Sequence, residues 1–198
     1  EGKIPSLENV LLQFEKELKK QRLPEKDFAE CKDKGKDALT VFYNERKDTF
    51  SQEHLIEVDF KNQGVIIGEA MITGKIDKMV KTEGGEIIVY DYKTGLAKDD
   101  WESGGTDYKK IQLHDYRNQI IFYKLLVENS REFGGKYVVN EGLLEFLEPQ
   151  DGHIVDLPLK IESGEANSLG KLIQVVYKKI INLDFPDVGK YSKDIKGI

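Results

Sequence analysis

Gly74-Lys75-Ile76-Asp77 and Val89-Tyr90-Asp91-Tyr92-Lys93-Thr94-Gly95 stand on either side of Glu83-Gly84-Gly85. Glu-Gly-Gly is a turn signal. Ile87-Ile88-Val89-Tyr90 is a continuous apolar run, which suits a strand covered on both faces. If residues 83–85 are the loop of a hairpin, Asp77 falls directly opposite Asp91. Opposed residues of an antiparallel pair share a face, with Cβ atoms about 4.5–5.5 Å apart. Lys93 is two residues beyond Asp91 and points to that same face. Opposed like charges destabilise a hairpin, so a cation is expected beside them, either Lys93 or a divalent metal. The two carboxylates and the backbone carbonyl of Tyr92 would supply three hard oxygen ligands. That set suits Mg²⁺ or Mn²⁺, with water and a substrate phosphate as the remaining ligands. A lysine beside such a metal would orient the attacking water. The tripeptide acid-x-Lys alone says little, since it recurs at Glu17, Glu30, Glu45, Asp59, Asp107 and Asp194. The Asp91 copy alone ends an apolar strand, follows a hairpin with Asp77 in register and precedes a glycine turn. From spacing alone, a surface salt bridge at a strand end stays open.

Working outward, residues 6–20 read as a helix, with Val10, Leu11, Phe14 and Leu18 at helical spacing and Ser6 as its cap. A turn at Pro24 leads to a second helix over 26–47, weakened by Gly35 and turning Ala38, Leu39, Phe42 and Tyr43 inward. The period then changes. His54–Phe60 reads as a strand with Leu55 and Ile56 in its core. Val65–Met79 reads as a second strand, bent near Gly68 or Gly74, and Glu86–Lys93 as a third. Thr94–Lys109 is polar and glycine-containing, a loop that would act as a mobile flap; its Trp101 would stack on a base or pin the loop. Ile111–Asn129 reads as a helix with Leu113, Tyr116, Ile120, Tyr123 and Val127 on one face. Tyr137–Leu147 and His153–Leu159 read as strands. A last helix over 164–182 places Leu169, Leu172, Ile173, Val176 and Ile180 at core spacing. Strands in a meander, a helix and two further strands make an α/β class with a mixed central sheet flanked by helices.

The chain has 198 residues, which sets one domain over 1–198 as the expectation. The single cysteine, Cys31, excludes an internal disulfide, a cysteine zinc site and a four-cysteine iron–sulfur cluster, and fits a reducing, cytoplasmic setting. No segment approaches the roughly 20 apolar residues needed to cross a bilayer, so no membrane partner is expected. No Gly-x-x-x-x-Gly-Lys phosphate loop is present, so an ATPase engine is not expected in this chain. The net charge of −6 argues mildly against a nucleic-acid partner, an objection that a carboxylate-lined metal site reduces. His54, His114 and His153 form no cluster in sequence and read as surface residues.

The segment from Asp77 to Tyr123 resembles the RecB-type nuclease domain of the PD-(D/E)XK superfamily. Gly74-Lys75-Ile76-Asp77 matches the family's Gly-x-Ile-Asp motif, Asp91-Tyr92-Lys93-Thr94-Gly95 its Asp-Tyr-Lys-Thr-Gly motif, and Gln119-Ile120-Ile121-Phe122-Tyr123 its Gln-x-x-x-Tyr helix. The resemblance implies a restriction-endonuclease-like core and a Mg²⁺- or Mn²⁺-dependent deoxyribonuclease. Asp77 and Asp91 would be metal ligands, Lys93 the catalytic lysine, and Gln119 a catalytic residue that supports the site or contacts DNA from the helix, with a solvated helix position as the competing reading. Tyr123, Lys109, Lys110 and Arg117 are candidate DNA contacts; for Tyr123 a core position, and for the three basic residues a solvated face, are the competing readings.

Leu183-Asp184-Phe185-Pro186 and Tyr191-Ser192-Lys193-Asp194 are similar to the end of nuclease domains fused to UvrD-type helicases. That similarity, with a first residue other than Met, implies a piece of a longer helicase–nuclease. Its partner would be DNA, single-stranded or unwound by a helicase domain of the same polypeptide, in repair or recombination. The chain also departs from the family. Many members carry a metal-binding His on the first helix, and Glu8 falls at that place here. Glu57 is a further acid on the strand before the hairpin, read as an exposed residue or a ligand. An incomplete ligand set would instead leave a degenerate module that binds DNA or docks a partner.

Overall fold

The computed structural model describes residues 4–97, 100–101, 106–185 and 187. Helices α1 (Leu7–Lys20) and α2 (Glu25–Arg46) open the chain. Strands β1 (Leu55–Asp59), β2 (Ile66–Ile67), β3 (Ala70–Met71), β4 (Lys75–Lys81) and β5 (Glu86–Lys93) follow. Then come α3 (Asp107–Glu128), β6 (Val138–Gln150), β7 (His153–Lys160) and α4 (Glu165–Ile181). Five strands form one mixed sheet in the order β1-β4-β5-β6-β7, and β2 pairs with β3 apart from it. All pairings in the large sheet are antiparallel except β5 with β6, which run parallel with α3 as their connection. A five-strand mixed sheet flanked by helices is the expected architecture.

Consecutive strand residues point to opposite faces, and this places the helices. Asp91 meets Gln119 and Tyr123 of α3. Its neighbour Tyr92 meets Phe42 of α2 edge-on, with ring centroids 5.9 Å apart. The two helices therefore cover opposite faces of β5. Between sheet and α3 lies the core, with Met79, Ile87, Val89, Ile120, Val127 and Leu144 fully buried. Gly142 on β6 lets α3 come this close: a Cβ there would run into Ile120 and stand 3.1 Å from Val89 Cγ2.

Several expectations need correcting. Val65–Met79 is not one bent strand. Gly68, at φ +63°, turns the chain so that Ile66 pairs with Met71 and Ile67 with Ala70, and β4 begins only at Lys75. In β1, Ile56 faces solvent, while Leu55 and Val58 pack on the core. The residue between them, Glu57, takes φ +55°, which breaks the simple alternation. Gly35 does not weaken α2; it lies against the ring of Phe14, where a side chain would collide, and joins α1 to α2. Helix α3 starts at Asp107, earlier than the loop reading allows. In α4 only Leu169 and Ile173 of the expected core set are partly covered, whereas Leu172, Val176 and Ile180 are about half exposed or more. Parts of the expected loop Thr94–Lys109, and residues 186 and 191–194 of the C-terminal similarity, fall outside the described residues.

Candidate active site

The hairpin of β4 and β5 has the predicted loop. Thr82 N–H donates to Glu86 O at 2.9 Å, and Lys78 lies opposite Tyr90. The same register carried one position further sets Asp77 opposite Asp91. Asp77 is fixed by its Oδ2, which accepts the Tyr92 amide N–H at 2.9 Å. Burial raises the Asp77 pKa above the ordinary carboxylate range. The Asp91 charge adds to that rise, and the Tyr92 amide opposes it.

Asp91 is 3% exposed, close to the full desolvation that makes an unpaired charge costly. Its Oδ1 accepts from Gln119 Nε2 at 2.7 Å and from the Tyr123 hydroxyl at 2.6 Å. Lys93 Nζ stands 2.7 Å from Oδ2, yet no hydrogen bond of proper angle forms there and Oδ2 has no donor aimed at it. The contact is an ion pair by proximity. Lys93 Nζ instead donates to Gln119 Oε1 at 2.6 Å. Gln119 Nε2 also donates to the Tyr123 hydroxyl at 2.9 Å, one turn further along α3. Residues 77, 91, 93, 119 and 123, distant in sequence, thus meet at one end of the sheet.

The remaining candidates sit elsewhere. Tyr123 is buried and gives its hydroxyl to Asp91, so it supports the carboxylate and presents no surface to a DNA strand. Burial and the Asp91 charge push its phenol pKa up. Arg117 is tied to Glu165 of α4 at 2.6 Å. Lys109 and Lys110 are exposed in the first turns of α3. The Trp101 indole N–H donates to the Pro158 carbonyl at 2.5 Å, so this residue pins its loop to β7. Glu57 pairs with Lys75. Glu8 is exposed on α1, beside Leu11, Glu15 and Lys36. Among the described residues no group of three or more His, Cys, Asp and Glu side chains gathers, so neither acid joins Asp77 and Asp91.

A model of the PD-(D/E)XK nuclease superfamily matches residues 6–188. The chain belongs to the PD-(D/E)XK nuclease superfamily. No curated protein matches it. A crystal structure of SSO0001 aligns over 89% of this chain and 86% of that one at 13% identity and a TM-score of 0.40.

Nucleases of this superfamily typically use divalent metal ions, and the donor set here fits one. Two carboxylates face each other across a hairpin, and one of their oxygens is buried without a hydrogen bond. Hard, anionic oxygens of this kind suit a hard divalent cation.

Two features of this nuclease-family site went unread in the sequence. The face of Tyr116 lies 4.4 Å from Lys93 Nζ. Behind the hairpin, on the α2 side, Glu145 is 2% exposed and meets Arg46 at 3.2 Å and Lys78 at 3.0 Å. Arg46 also reaches Asp156 at 2.7 Å. The signal for this second cluster was present: Glu145 interrupts the apolar run Leu143-Leu144-Glu145-Phe146-Leu147, where a charge needs a partner.

Proposed function

We propose that this chain is a Mg²⁺- or Mn²⁺-dependent deoxyribonuclease, with Asp77 and Asp91 as metal ligands and Lys93 as the catalytic lysine. The observation that carries the reading is the meeting of Asp77, Asp91, Lys93 and Gln119 at one strand end within a nuclease-superfamily chain. Asp77 and Asp91, with the carbonyl of Tyr92, would hold the metal, which when bound would stabilise charge on the scissile phosphate and lower the pKa of water. The protein's own part is positioning. Gln119 and Tyr123 hold Asp91 through Oδ1 and leave Oδ2 free of donors. Lys93 would present a positive charge to a phosphate oxygen or the attacking water, and Gln119 accepts its hydrogen bond and fixes its direction. Lys109 and Lys110, exposed in the first turns of α3, would meet DNA phosphates as point charges.

The finer reading follows the likeness of residues 183–186 and 191–194 to helicase-fused nucleases. The substrate would be a DNA strand delivered by a helicase domain of the same polypeptide, in cytoplasmic DNA repair or recombination. The test is cleavage of end-labelled single- and double-stranded DNA with Mg²⁺, Mn²⁺ or EDTA. Metal-dependent cutting of DNA is the expected result. No cutting under any metal, with retained DNA binding, would replace the reading by a DNA-holding module of the same fold.

A further inference from the structure

We infer that Tyr116 is a positioning residue for Lys93, holding its ammonium at the strand end through the face of the aromatic ring. The inference deepens the nuclease reading above and rests on it for its kinetic arm. Among the described residues, three groups surround Lys93 Nζ: Asp91 Oδ2 at 2.7 Å, Gln119 Oε1 at 2.6 Å and the Tyr116 ring centroid at 4.4 Å. A cation over a ring face is attracted by the ring quadrupole. The lysine side chain is a flexible four-carbon stem, so a third wall restricts where its charge can swing.

The other two holds are not independent. Asp91 is both the counter-ion of Lys93 and a proposed metal ligand, and Gln119 binds Asp91 as well as Lys93. A cation that draws on Asp91 competes with the ammonium for the same carboxylate. Among the described residues, the ring face of Tyr116 is the contact of Lys93 Nζ that such competition leaves untouched.

The ring is itself fixed. Its hydroxyl accepts from Gln112 Nε2 at 3.0 Å, and its ring meets that of Phe146 in a T-shaped contact at 6.3 Å. Phe146 is fully buried and lies beside Lys93 in the β5–β6 register. Tyr116 stands one turn before Gln119 on α3, so one helix face presents Tyr116, Gln119 and Tyr123 in succession to the end of β5. A small displacement of a catalytic group costs rate steeply, which is why a wall of this kind matters to a nuclease.

The test uses the full chain with Tyr116→Phe, which keeps the ring, and Tyr116→Leu and Tyr116→Met, which remove it at similar bulk. The first readout is the NMR position of the Lys93 ε-methylene, assigned by its loss in Lys93→Arg. A ring face shifts it upfield. The shift is expected in wild type and Tyr116→Phe, with return to the ordinary lysine position in Tyr116→Leu or, should that variant not fold, in Tyr116→Met. The second readout is steady-state DNA cleavage with Mn²⁺. Loss of the ring lowers kcat on the order of tenfold with KM unchanged, and Tyr116→Phe stays within about twofold of wild type. An ordinary Lys93 position in wild type, no change on removing the ring, or wild-type kcat in the ringless variants overturns the inference. If wild type cuts no DNA, the nuclease reading falls, and the NMR arm decides alone whether Tyr116 positions Lys93.

Discussion

The carboxamide nitrogen of Gln119 stands 2.7 Å from Oδ1 of Asp91, while the oxygen of the same carboxamide receives Lys93 at 2.6 Å. An amide carries a donor and an acceptor on one plane, so it can serve an anion and a cation together. Gln119→Glu keeps the shape and replaces the donor by a second carboxylate facing Asp91. A buried acceptor then loses its donor and gains a like charge, a loss of about 1–3 kcal/mol at neutral pH. At this chain length the melting temperature should fall by roughly 2–4 °C for each kcal/mol. Thermal unfolding at pH 7 checks it, and a Glu variant that melts with wild type would contradict the role given to Gln119.

Asp77 provides the pH-dependent prediction. Its folded pKa is raised, chiefly by burial and then by Asp91. A carboxyl raised on folding destabilises the folded state when ionised. The cost is therefore present above the folded pKa and disappears as pH falls below the ordinary carboxylate value. Asp77→Asn retains an oxygen for the Tyr92 amide and removes the charge. In metal-free buffer at pH 7 to 8 it should melt above wild type, and the difference should shrink towards acid pH. Added Mn²⁺ should raise the melting temperature of wild type and not of Asp77→Asn. Equal Mn²⁺ stabilisation of both proteins would remove Asp77 from the metal site.

What could be read in advance follows physical lines. The hairpin was legible because its loop, residues 83–85, fixes register, and register fixes which side chains oppose. That is why Asp77, Asp91 and Lys93 could be grouped from the sequence. The split of Val65–Met79 was not legible, since β2 and β3 are two residues each, too short to show a period of their own. Helix α4 shows another limit of periodicity. A helical apolar stripe reveals an amphipathic helix but not which side meets the sheet, and here Leu172, Val176 and Ile180 face outward while Gly170 packs beside Ile67. The Tyr116–Lys93 contact escaped notice because an aromatic on a core-facing helix stripe looks the same whether its neighbour is a leucine or an ammonium.

Glu145 is the charge on which the α2 side of the sheet depends. It is buried between Arg46 and Lys78, whose side chains are 23% and 13% exposed. Glu145→Ala strands Lys78 and leaves Arg46 to Asp156, and breaking a buried pair by removing one partner costs about 3–5 kcal/mol. Chemical denaturation should show a midpoint shift of that size with little change in slope. A loss below about 0.5 kcal/mol, the range of ordinary surface substitutions, would mean that the cluster is solvated and structurally idle.

Cleavage of labelled single-stranded DNA in Mn²⁺, with wild type beside Lys93→Ala, tests the central claim most directly. Lys93→Ala leaves the bonds from Gln119 and Tyr123 to Asp91 in place, so the variant should fold and melt cooperatively. The account predicts that wild type cuts, that EDTA stops it, and that Lys93→Ala loses at least roughly a hundredfold in rate, as removal of a group that assists proton transfer does. A folded Lys93→Ala that cuts as fast as wild type would contradict the assignment of the active site to Asp77, Asp91 and Lys93.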